Sequence, residues 1–102
     1  MNNLLYRDAI RNALGVCDCT IDAIGRKCDV SRQTITLMLR GGVKMRKGTA
    51  SAIGAAMIDE LRKEIGNSCD RIAMIERLIV DVKNTYDREY GMEGQKSELF
   101  DL

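Results

Sequence analysis

Apolar residues recur at helical spacing along almost the whole chain and never alternate with polar ones over the length of a strand, so helices must supply the fold. Leu4, Leu5, Ile10 and Leu14, with Ala9 and Ala13, make a first stripe before Gly15, and Arg7, Asp8, Arg11 and Asn12 take the polar side; the spacing predicts a helix over 3–14. Thr20 is placed to cap a short second helix with Ile21, Ile24 and Cys28 on its apolar side, ending near Asp29. Ser31 is placed to cap a third, Arg32 to Arg40, which turns Ile35, Met38 and Leu39 inward and stops at Gly41-Gly42.

After the basic link Lys44-Met45-Arg46-Lys47, Thr49 is expected to cap a fourth helix. That helix carries Ile53, Ala56, Met57, Leu61 and Ile65 on one face and closes at Gly66-Asn67. Small residues Ala50, Ala52, Gly54 and Ala55 let it pack closely against its neighbours. Ser68 or Asp70 opens the fifth and longest helix, striped by Ile72, Ile75, Leu78, Ile79, Val82 and Tyr86, before Gly91 and Gly94 break it. No internal repeat and no low-complexity block interrupts this order. The chain of 102 residues is therefore expected to be a single all-α unit, with 1–66 as the working domain, 67–91 as a C-terminal helix and 92–102 as a flexible tail.

Charge bounds the partners. A net charge of +1 excludes both a polycation and an acidic disordered chain, but the charges are unevenly placed: residues 1–50 hold nine Lys/Arg against four Asp/Glu, and 51–102 hold seven against eleven. The first half is the one that should face a polyanion. The longest apolar runs, such as Ile53 to Ile58, fall far short of the roughly 20 residues that span a bilayer, and the start Met1-Asn2-Asn3-Leu4 has no export signal, so a cytoplasmic location is expected.

The second and third helices carry the strongest functional signal. Joined by Cys28-Asp29-Val30-Ser31, they have the spacing of a helix-turn-helix, whose second helix enters the DNA major groove. In such a motif Ile24 must pack on the chain's third helix, Val30 must plug the turn, and Ile35 with Met38 must seal the underside, leaving Arg32, Gln33, Thr36, Leu37 and Arg40 outward. Arg26, Lys27, Arg32, Arg40, Lys44, Arg46 and Lys47 gather around the pair instead of alternating with acids, which suits a phosphate backbone.

The run from Thr20 to Leu39, above all Val30-Ser31-x-Gln33-Thr34-Ile35, resembles the helix-turn-helix of the lactose-repressor family and of phage Cro and C1-type repressors. The resemblance continues through Lys47-x-Thr49 and Ile53-x-Ala55-Ala56-Met57 and covers about residues 20–61, with no room for a sugar-binding domain. It implies a compact five-helix, lambda-repressor-like domain and a small repressor of phage or mobile-element kind. Two positions depart from the family pattern: Gly25 stands where Ala is usual, and Asp29 where Gly is usual. Gly25 keeps the helices close at up to ~1 kcal/mol of helix propensity, and Asp29 must take the left-handed conformation that Asn and Asp tolerate best.

These readings assign base contacts to Arg32, Gln33, Thr36, Leu37 and Arg40, with Gln33 suited to adenine, Arg32 to guanine, and Thr36 and Leu37 to thymine methyl groups. Phosphate contacts fall to Ser31, Lys44, Arg46, Lys47 and Thr49. Ile75, Ile79, Val82 and Tyr86 are expected to pair across a two-fold axis, giving a homodimer on a double-stranded operator. Enzymatic activity, a cofactor, a metal and a membrane partner are not expected: histidine is absent, and Cys17, Cys19, Cys28 and Cys69 lack the paired spacing of a zinc site. The alternative is a protein-interaction module of helix-turn-helix shape, antitoxin-like or inhibitory, engaging a protein partner through its acidic C-terminal half. The ending Gln95-Lys96-Ser97-Glu98-Leu99-Phe100-Asp101-Leu102 resembles a short docking peptide of the bacterial sliding-clamp kind.

Overall fold

A computed structural model describes residues 4–17, 21–67 and 71–90. These contain five helices and no strand: α1 (Tyr6–Val16), α2 (Ile21–Cys28), α3 (Arg32–Arg40), α4 (Lys47–Asn67) and α5 (Ile72–Tyr90). The short α2 and α3 pack on each other, α1 and α4 back them, and α5 lies across α1 and α4. One continuous core runs through all five, with Tyr6, Ile10, Ile24, Ile35, Ile53, Met57, Leu61, Ile75 and Val82 fully buried.

The helix boundaries show where local signals suffice. α3 spans the residues its caps predict, whereas α1 begins later and runs through Gly15, with Leu5 exposed and Tyr6 taking the buried place. Cys17 closes α1 in extended conformation, its N–H bonded to the Ala13 carbonyl at 2.8 Å and its side chain in the core. α4 also departs from expectation. It starts at Lys47, with the Ala50 N–H on the Arg46 carbonyl at 2.8 Å, so Thr49 lies inside the first turn and does not cap it. The expected caps Thr20, Ser68 and Asp70, together with Cys19, Cys69 and the segment 92–102, lie outside the described residues.

The stripe assigned to a two-fold contact is used within the chain. Ile75 and Val82 are 0% exposed, Tyr86 1% and Ile79 9%, because α5 covers the space between α1 and α4 that the shorter helices leave open. Ile75, Ile79, Val82 and Tyr86 are thus core residues of the single chain. The large exposed apolar side chains of α5 are instead Met74 and Val80.

Three tyrosines join the end of α5 to the start of α1. The rings of Tyr6, Tyr86 and Tyr90 stand 5.4–5.6 Å apart between centroids, Tyr86 and Tyr90 stacked and Tyr6 edge-on to both. The Tyr6 hydroxyl donates to the Ala50 carbonyl at 2.6 Å, and the Tyr90 hydroxyl donates to that of Met45 at 2.8 Å. Burial among the other rings raises the Tyr6 pKa, so this hydroxyl stays a donor. The first bond ties the first turn of α4 to α1, and the second fastens the link between α3 and α4 to the end of α5.

Candidate functional site

The turn between α2 and α3 is built by backbone geometry. Asp29 takes φ +58°, the one positive φ outside glycine among the described residues, and this lets the Val30 N–H reach the Gly25 carbonyl at 3.0 Å. Gly25 is buried at the contact. A Cβ placed on it would stand 2.5 Å from the Val30 carbonyl oxygen and 3.5 Å from Ile35 Cδ1, so the helices approach more closely than alanine permits.

α3 is fixed at both ends. Ser31 caps it, its Oγ accepting from the Thr34 N–H at 3.2 Å. Gly41 closes it at φ +84°, with the Gly42 N–H on the Leu37 carbonyl at 2.9 Å. Ile35, Met38 and Leu39 are buried beneath, which sets the rotation of the helix about its axis.

The outward side of α3 brings together all five residues assigned to base contacts. Arg32, Gln33, Thr36, Leu37 and Arg40 line one open depression, and Leu37 is a large apolar side chain left 46% exposed there. The Thr36 hydroxyl donates to the Arg32 carbonyl at 2.9 Å. Its proton is thereby occupied inside the helix, and Thr36 offers a methyl group and a lone pair to a ligand. Arg32 stands 3.9 Å from Asp22, at the outer limit of an ion pair, with both side chains more than half exposed, so it can turn to another acceptor.

The residues assigned to phosphates lie to either side. Ser31 is exposed at the start of α3. Lys44 and Arg46 are exposed on the link, and between them Met45 is buried with its carbonyl held by Tyr90, so the alternation of the link aims both cations outward. Lys47 and Thr49 are half-buried in the first turn of α4. Arg26 is exposed and, with Ser31 and Arg32, borders the depression over the turn.

Lys27 must be taken out of this basic group. Its ammonium bonds Asp59 and stands 2.5 Å from Glu60 on α4, so its charge is spent on holding α2. The Lys27 hydrogen bond holds both carboxyls below their usual range, and the same bonds raise the lysine.

Periodicity did not reveal the part played by Tyr6 and Tyr90. Aromatic residues near the two ends of a helical chain were the only available signal, and the partners they bind are backbone carbonyls with no sequence signature. The described thiols offer no reactive centre: Cys17 is buried, and burial raises the half-buried Cys28, opposite to the shift that activates a thiol. Among the described residues no helix is long and apolar enough to cross a membrane. Comparison of the chain with protein-family models, with curated protein sequences and with solved structures returns no match.

Proposed function

We propose that this protein is a sequence-specific regulator of transcription that binds double-stranded DNA through α3, a small cytoplasmic repressor of the Cro and C1-type, lactose-repressor-like kind from a phage or mobile element. The observation that carries the reading is the outward face of α3. A rigidly capped helix presents guanidinium, amide, methyl and aliphatic groups along one exposed strip, and those are the groups that pair with guanine, adenine and thymine edges in the major groove. Exposed Arg26 precedes α3 and exposed Lys44 and Arg46 follow it in the chain, which suits a backbone-positioning set.

Nothing in this mechanism requires catalysis or a cofactor. α3 enters the major groove, Gln33 and Arg32 near its N-terminus reach base edges, Leu37 and the Thr36 methyl meet thymine methyls one turn later, and Arg40 reaches base or phosphate. A homodimer on an inverted repeat would have to pair through a surface other than the buried α5 stripe.

Selection of bound duplexes from a random pool tests the reading. A defined site should emerge, and Gln33→Ala and Leu37→Ala should each cost about 1–3 kcal/mol on it while binding to random DNA persists. An unchanged site preference in both variants would refute the base contacts. Absence of binding even at low salt would refute the DNA reading and return the fold to protein-protein contact.

A further inference from the structure

Two arginines outside the expected site extend the cationic surface onto α1. Arg7 and Arg11 are four residues apart on α1, hence on one side of it, and α1 packs on α3. Arg11 shares an open depression with Thr36 and Arg40, the two residues that also line the depression on the outward face of α3, so the surface is continuous from Gln33 across Arg40 to Arg11. Arg7 lies at the far end of the same helix: its guanidinium covers Gly41, where an added Cβ would fall 2.7 Å from Nη1, and it shares a hollow with Gly41 and Lys44.

These charges are available. Arg7 is exposed and has no ion pair among the described residues. Arg11 has one, to Asp8 at 3.8 Å, with side chains 59% and 38% exposed. The carboxylate nearest in the Arg7 hollow, Glu89, accepts from the Tyr6 N–H instead.

We propose that Arg7 and Arg11 form a second phosphate-binding ridge, gripping the DNA backbone beside the groove that α3 reads; this rests on the DNA-binding reading above. The geometry excludes base contact for them. A helix about 10–12 Å across fills a major groove about 12 Å wide, so a neighbouring helix can only lie over the sugar-phosphate edge. Phosphate oxygens there match the arginine fork. The ridge and the pair Lys44 and Arg46 would then bracket the groove entrance from two elements, which fixes how deeply α3 sits.

The test is equilibrium binding of the full chain to a random-sequence duplex and to a selected site, across about 50–200 mM salt. Arg7→Gln and Arg11→Gln should each weaken both duplexes by the same factor and reduce the slope of log affinity on log salt by about 0.9, so that the deficit shrinks about 3.5-fold over that range. Arg7→Lys and Arg11→Lys, which keep the charge, should retain the slope, and thermal melts of all four should match the parent. Arg77→Gln, on α5 and paired with Asp81 at 3.3 Å, should change neither slope nor affinity. Slopes equal to the parent in both Gln variants, a loss confined to one base position, or an equal loss in Arg77→Gln would each overturn the ridge while leaving the DNA reading standing. A parent chain with no salt-dependent binding would overturn both.

Discussion

On the side built from α1, α3 and the link that follows, Arg7, Arg40, Lys44 and Arg46 are exposed and have no ion pair among the described residues. On the side where α2 and α5 meet α4, Lys27 and Lys63 both engage Asp59 and Glu60, Arg71 lies 2.8 Å from Glu64, and Arg77 3.3 Å from Asp81. The same residue types thus do different work. A cation matched by a carboxylate adds little stability at the surface and projects little field, whereas unmatched cations on one face sum to a positive potential that draws a polyanion. A near-neutral chain can therefore offer DNA a strongly basic side.

The largest expected difference between the sides is one of stability against binding. Val82→Glu places a carboxylate where the parent side chain is 0% exposed. It should cost several kcal/mol, a large share of the roughly 5–15 kcal/mol that holds a small domain, and circular dichroism should show loss of helix in the whole chain. Arg40→Glu should leave the unfolding free energy within about 0.5 kcal/mol of the parent yet weaken DNA binding about tenfold or more. A folded but dissociated Val82→Glu would restore the two-fold role of the α5 stripe.

That stripe marks a limit of what periodicity can reveal. Ile75, Ile79, Val82 and Tyr86 have the same spacing whether they meet α1 and α4 or a second copy, and only the shape of the remaining core decides. The short elements were legible because their signals are local: Ser31, Asp29 and Gly41-Gly42 act on backbone groups within a few residues. The start of α4 was not, since Met45 is buried and its carbonyl is held by Tyr90, 45 residues away. Arg7 and Arg11 were legible only as polar-side residues, because a single stripe does not say which neighbour lies alongside.

The close approach of α2 to the turn sets how α3 is presented, and Gly25→Ala probes it. Alanine favours the helix by about 1 kcal/mol, but its Cβ would stand 2.5 Å from the Val30 carbonyl oxygen, and backbone cannot swing away as a side-chain tip can. Overpacking of this kind costs about 1–3 kcal/mol, so a net loss of up to about 2 kcal/mol in denaturant unfolding is expected, together with weaker DNA binding from a tilted α3. A stability gain in Gly25→Ala would mean that the two helices slide apart freely.

Asp29→Gly acts on the same turn in the opposite direction. At φ +58° an L-residue carries a steric penalty that glycine lacks, reduced but not abolished for aspartate. The variant should gain about 0.5–1 kcal/mol in urea unfolding without altering the salt dependence of DNA binding, since the Val30 bond to Gly25 remains. Asp29→Val, branched at Cβ, should lose stability.

The smallest effect separates the two sides by pH. Asp59 and Glu60 are held below the usual carboxylate range by the Lys27 hydrogen bond. A carboxyl whose folded pKa is lowered contributes stability above its unfolded value, near 4, and loses it as pH falls through the folded value. Acidification from about pH 5 to pH 2 should therefore lower the melting temperature of the parent more than that of Lys27→Met, in which the carboxyls lose their cation. The effect is modest because Asp59 is exposed and the cluster is open to solvent on that side, where pairs are screened. Arg7→Gln should keep the full acid sensitivity of the parent, because no carboxylate pairs with Arg7 among the described residues. Equal loss of acid sensitivity in Lys27→Met and Arg7→Gln would show that the pH response belongs to the net charge of the chain and not to the matched pairs on one side.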